Sequence, residues 1–231
     1  MNCLGDTCAD KARDFIGKGH PGGEQEGKGT QENCSAAWLV TVQKQSPVTN
    51  YQFSSADGVW RVNLTGTFIS LTCTRYTCWE DFAAKLDKPL AAFIGIYKPA
   101  YFDRVGLRYL NFISRFELGL EGVPFSRLIT PCYLGPLAEE DVQETTASRC
   151  SVDAEMAIRG GCRVKLHAGP GLVRRGNKED KEVKFIFDQD LYMPGQVPPK
   201  LVAGALQTLH AQADSIFRGA ITVSPMSTGM S

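Results

Sequence analysis

Two tight turn signals, each set between runs of alternating apolar residues, constrain this chain more than any other feature. Trp60, Val62 and Leu64 alternate with Arg61 and Asn63, Thr65-Gly66 follows, and Phe68 to Thr74 runs out as a second apolar stretch. Val152, Ala154, Met156 and Ile158 alternate up to Gly160-Gly161, after which Cys162, Val164 and Leu166 alternate back. A period of two on both sides of a short Gly-containing turn is the pattern of a β-hairpin. Parallel neighbours would need a long crossover instead, so the sheet these hairpins build is antiparallel.

Two helical patterns accompany the hairpins. Thr77 stands three residues before Glu80, the spacing of a capping box, and Phe82, Leu86, Leu90, Phe93, Ile94 and Tyr97 then recur with helical period. This predicts a helix from Cys78 to about Lys98, with a kink or boundary near Lys88 because Pro89 removes a backbone donor. Pro198-Pro199 opens a second helix, striped by Leu201, Val202, Ala205, Leu209, Ala213, Ile216 and Phe217. Tyr101 to Ile113 reads as a strand, with Val105, Leu107 and Tyr109 on one side and Arg104 and Arg108 on the other. Val183, Phe185 and Phe187 define another strand, after a charged loop from Arg174 to Lys181. Glu117 to Asp141 reads as a long connection with a short helix near Phe125 to Ile129. The fold class is therefore α+β, an antiparallel sheet with two long amphipathic helices on one face. Hairpin, strand and helix occur in both halves, which suggests a pseudo-duplication.

The chain has 231 residues, enough for one domain, which is expected over 51–231. Residues 1–50 read as a flexible or atypical N-terminal segment, because Gly17 to Gly29 is rich in Gly, Lys and Glu and offers nothing periodic to bury. Lys plus Arg balances Asp plus Glu at 25 each, so net charge does not indicate nucleic-acid binding. No signal-peptide core and no membrane-length apolar run is present, and the eight cysteines read as reduced thiols of a cytoplasmic protein.

The run from Tyr97 to Asn111 (Tyr-Lys-Pro-Ala-Tyr-Phe-Asp-Arg-Val-Gly-Leu-Arg-Tyr-Leu-Asn), preceded by Trp79-Glu80-Asp81-Phe82, resembles a sporadically distributed family of uncharacterised, conserved hypothetical bacterial proteins. Phe187-Asp188-Gln189-Asp190 is similar to that family's acidic strand, and Leu209-His210, Phe217 and Ile221-Thr222 to its closing helix. The resemblance spans roughly Tyr51 to Thr222 and implies type without chemistry, since no activity, cofactor or substrate comes with it. Members usually open with a β-strand, whereas residues 1–50 here look unrelated. A missing strand implies an unpaired sheet edge, open to a protein partner or to self-association.

Among residues able to do chemistry, Gly22 to Thr30 imitates a phosphate loop, with Lys28 in the gripping position. It lacks the preceding buried strand and carries two carboxylates, so it reads as a linker. Cys73, Cys78, Cys150, Cys162, His20 and His167 do not show the close paired spacing of a zinc motif, and no metal or cofactor is expected. The binding candidates are Arg104, Arg108, Asn111, Asp188, Asp190 and His210. Arg104 and Arg108 are expected to form cross-strand ion pairs with Asp188 and Asp190, since they share a strand face with the apolar Phe102, Leu110 and Phe112 and need compensation there. His210 and Asp214 lie one helical turn apart, within reach of a hydrogen bond. No catalytic constellation is legible, which favours a non-enzymatic binding or protein-interaction module. The alternative is a small-molecule or nucleotide-dependent enzyme that uses those residues around a sheet-floored pocket.

Overall fold

The computed structural model describes residues 12–13, 49–175 and 178–222. The phosphate-loop-like segment, His20 and most of the expected N-terminal lead-in lie outside the described residues. The strands are β1 (Ala12–Arg13), β2 (Tyr51–Ser54), β3 (Trp60–Leu64), β4 (Ile69–Cys73), β5 (Phe102–Ile113), β6 (Val152–Ala157), β7 (Arg163–Arg175) and β8 (Lys178–Val197). The helices are α1 (Trp79–Tyr97) and α2 (Val202–Ala220), the latter led in by a short 3-10 turn at Pro199–Leu201. All pairings are antiparallel, in the order β2-β3-β4-β1-β5-β8-β7-β6. The two-residue β1 joins a three-stranded part, β2 to β4, to a four-stranded part, β5, β8, β7 and β6.

Both expected hairpins form, and local chemistry explains their turns. The Thr65 hydroxyl accepts hydrogen bonds from the amides of Thr67 (3.2 Å) and Phe68 (3.1 Å), closing the β3–β4 turn. Gly160 and Gly161 take φ of +77° and +72°, which L side chains rarely adopt, and the Ile158 amide reaches the Cys162 carbonyl at 2.8 Å across them. The charged stretch expected as a loop is instead a hairpin arm. β7 runs to Arg175 and β8 starts at Lys178, with Leu172 opposite Val183 and Arg174 opposite Glu179. Backbone pairing along the neighbouring strand holds these polar residues extended, which side-chain periodicity does not register.

Helix α1 fills the expected span and continues through Pro89 without a break. Its capping box does not form. Cys78 is the N-cap, so Thr77 lies one residue too early to reach the first-turn amides, and its hydroxyl donates to Asp81 at 3.1 Å instead. The first half of the chain orders its elements hairpin, helix, strand (β3, β4, α1, β5) and the second hairpin, strand, helix (β6, β7, β8, α2).

Strand register puts one continuous apolar surface on a single side of the sheet. Trp60, Val62 and Leu64 pair with Cys73, Leu71 and Ile69, while Leu107 and Ile113 pair with Leu191 and Phe185. Both helices pack there. Trp79, Phe82, Leu86 and Phe93 of α1 and Val202, Leu206, Leu209 and Ala213 of α2 share a core with Leu71, Val105, Leu107 and Leu191. A second core joins Phe185, Phe187, Leu166 and Ala168 to Phe125, Leu128, Ile129, Leu134 and Leu137 of the long connection. That connection holds 3-10 turns at Phe125–Arg127, Pro131–Tyr133 and Gly135–Ala138. Arg115 fixes it: the guanidinium lies 4.0 Å from the Phe125 ring, pairs with Glu144 and donates to the Val123 carbonyl.

Seven strand spacings make a sheet about 34 Å wide, whereas two helices of about 10 Å diameter cover about 20 Å. The long connection covers the β8–β7 side, which leaves the apolar face of β2 and β3 the least covered.

Candidate functional site

The six candidate residues do not meet. Arg104, Arg108, Asp188 and Asp190 lie on the open, helix-free side of the sheet. Arg104 Nη2 donates to Asp190 Oδ1 at 2.6 Å, and Arg108 Nε donates to Asp188 Oδ1 at 2.7 Å, with Arg108 Nη2 engaging Asp188 Oδ2 as well. Arg108 stands directly opposite Asp190 in the register, so its bidentate pair with Asp188 is diagonal. The hydrogen bond to Asp188 raises the Arg108 pKa further above its usual range. Phe102 does not share this face as expected: the register shifts between Phe102 and Arg104, and Phe102 is fully buried against Phe93 of α1, with ring centroids 6.0 Å apart.

Asn111 and His210 lie on the other side. Asn111 is buried, and its Nδ2 donates a long bond of 3.4 Å to the Phe187 carbonyl. His210 Nδ1 is 2.9 Å from the Tyr109 hydroxyl, and the imidazole stacks on Trp79 at 4.7 Å with 7° between planes. Burial lowers its pKa, against an opposing pull from Asp214 and Glu80. The expected His210–Asp214 hydrogen bond gives way to Arg218, whose Nε donates to both Asp214 oxygens at 2.9 and 2.8 Å. Trp79 is itself fixed, its Nε1 donating to Gln207 Oε1 at 2.6 Å. Gln189, opposite Tyr109, is fully buried, and its Oε1 has no hydrogen-bond partner among the described residues.

Two concave regions bear on function. On the open face a shallow cavity of about 510 Å³ is lined by Arg108, Asp153, Glu155, Lys165, His167, Asp188 and Asp190. Its carboxylates are all engaged. Asp153 pairs with His167 at 2.7 Å, Glu155 accepts from the Tyr192 hydroxyl at 2.6 Å and lies 3.8 Å from Lys165, and Asp188 and Asp190 hold the two arginines. These bonds hold Asp153 and Glu155 below the usual carboxylate range. Such a lattice of satisfied charges is what a cross-strand network looks like when it serves the sheet.

The second region is a groove of about 510 Å³ on the helix side, between α1 and the outer strands. Phe53, Trp60, Val62, Leu64, Ile69 and Leu71 form its floor and outer wall, and Pro89, Ala92, Phe93, Ile96 and Tyr97 its inner wall, with Lys85 and Lys88 at the rim. Large apolar side chains remain open to solvent around it: Tyr51 is 58% exposed, Phe53 60%, Ile96 73% and Tyr97 59%. Tyr97 was expected in the core stripe. The helix carries it past the edge of the covered face, so it borders the groove instead.

The helical stripe and strand alternation announced apolar faces, but sequence alone did not show that the two faces meet only in part. The readable signal was Lys85 and Lys88 interrupting the apolar side of α1 and Ile96 standing beyond its stripe. Among the described residues, Cys78, Cys132, Cys150 and Cys162 are free thiols, and no group of three or more potential metal ligands lies together. Cys73 and Cys162 are buried, as packing residues would be, and burial pushes the Cys162 thiol up. No described helix is long and apolar enough to cross a membrane. Compared with protein-family models, curated proteins and solved structures, the chain matches none of them.

Proposed function

We propose that this chain is a non-enzymatic binding module whose working surface is the apolar groove between α1 and β2–β4. The observation that carries the reading is the exposure of Phe53, Ile96 and Tyr97 around a concavity whose floor includes the half-buried Trp60, Val62 and Leu64. Contiguous exposed apolar surface rimmed by polar groups marks binding sites, and pockets of ~300–1,000 Å³ with mostly apolar walls suit small apolar ligands. The separation of His210 and Asn111 from the arginine face supports binding over catalysis, because one pocket cannot use groups on both sides of the sheet. β2, an edge strand among the described residues, forms the outer rim, so a partner could engage the groove and the sheet edge together. The likeness of Tyr97–Asn111 to an uncharacterised bacterial family belongs to this proposal, as does a cytoplasmic setting, which the thiols of Cys78, Cys132, Cys150 and Cys162 favour.

A neutral solvatochromic dye, Nile red, tests the site. The native chain should bind it with enhanced fluorescence, and Ala92→Trp, which fills the groove from an exposed position on α1, should abolish the signal while leaving the melting temperature near native. Undiminished dye binding by the filled variant would contradict the proposal.

A further inference from the structure

The groove is apolar along its length but not uniform at its rim. Lys85 and Lys88 stand at the end nearer the start of α1, whereas Ala92, Ile96 and Tyr97 line the other end. Among the described residues, no carboxylate lines the groove. The acidic residue one turn before Lys85, Asp81, takes the Thr77 hydroxyl, and neither lysine forms an ion pair among the described residues. Lys85 Nζ instead lies 6.0 Å from the centroid of the Trp60 ring in the groove wall. Two positive charges at one end of an apolar trough, with no anion supplied by the described residues, complement an amphiphile with a negative head. We propose that the groove binds a single-chain amphiphile with an anionic headgroup, a long-chain carboxylate, its head at Lys85 and Lys88 and its tail running toward Ile96. This rests on the reading of the groove as the binding site.

The dimensions agree. From Lys85 to Ile96 the helix rises about 16 Å, which accommodates an extended alkyl chain of about twelve carbons. The chain would lie over Val62 and Leu64, removing from water itself and what these half-buried side chains still expose, above the already buried Ile69 and Leu71. The headgroup would remain at the rim, where the two exposed lysines meet it at high dielectric and no charge has to be buried.

Calorimetric titration of the full chain with decanoate, decanol and decyltrimethylammonium tests this, because the three share a tail and differ in head charge. Decanoate should bind about tenfold tighter than decanol, and the cation more weakly than either. Lys85→Gln/Lys88→Gln should bring decanoate down to the decanol affinity without changing decanol itself, and Ala92→Trp should abolish all binding. If decanol binds but decanoate binds no tighter, or if the lysine variant keeps the preference, the anionic ligand is wrong and the groove stands. If none of the three binds, both readings fail.

Discussion

Arg108 and Asp188 show at residue scale how a pair that looks like a ligand site serves the scaffold. Their side chains are 33% and 15% exposed, between a surface pair worth ~0–1 kcal/mol and a buried one whose breaking costs ~3–5 kcal/mol. Arg108→Ala is therefore expected to destabilise by about 1–3 kcal/mol. The double variant with Asp188→Ala should show coupling of about 1 kcal/mol, read from denaturant midpoints. Additive losses would mean the pair is decorative.

His210 supplies a second test at this scale. Its folded pKa is lowered, chiefly by burial, while Trp79 and Tyr109 face it and Asp214 and Glu80 pull the other way. In the window below the unfolded value of 6.5 the unfolded chain binds the proton first, so the neutral ring's contribution is present above that value and lost as pH falls through it. The melting temperature of His210→Gln should consequently fall less than that of the native chain on acidification over this window. Equal slopes would show that the ring titrates alike in both states. The arginine–carboxylate pairing was legible in the sequence because alternation fixes which residues share a strand face. The partners of His210 were not, since Tyr109 and Trp79 come from distant elements and no local spacing encodes them.

At the scale of elements, α1 carries a cost that sequence identified and structure tolerates. Pro89 lies inside the helix, where a proline removes a backbone hydrogen bond and crowds the preceding turn. Pro89→Ala should raise stability by up to about 3 kcal/mol, and a loss would mean that the ring's contact along the groove outweighs the helix gain. Strand β7 makes the opposite case. A Cβ on Gly169 would lie 2.5 Å from the Cys150 carbonyl oxygen, a backbone atom, whereas one on Gly171 would meet only the end of the Ile186 side chain at 2.7 Å. Gly169→Ala should cost roughly 2–3 kcal/mol and Gly171→Ala under about 1 kcal/mol, both measured by thermal unfolding. Element type and order were read well where apolar periodicity was strong, as in β3, β4, α1, β5 and α2. The Arg174 to Lys181 stretch was misread because its extended form comes from pairing along β7 and β8, and charged side chains carry no imprint of that.

The whole molecule sets the functional question. One apolar face spans the sheet, and the two helices and the long connection cover it unequally, so the surplus appears over β2 and β3 as a groove. Sequence gave each apolar face separately but not their relative widths, which depend on strand order and on where α1 crosses the sheet. The expected candidates failed to converge for the same reason: parity along β5 and β8 sorts residues to one side or the other, while the helix-borne His210 packs only on the covered side. Backbone hydrogen exchange of the native chain with and without saturating decanol tests the central claim most directly. Added protection should be confined to Tyr51–Ser54, Trp60–Leu64, Ile69–Cys73 and Trp79–Tyr97, the elements that frame the groove. Protection centred instead on β6 and β7, under the cavity of Arg108, Asp153 and His167, would contradict it.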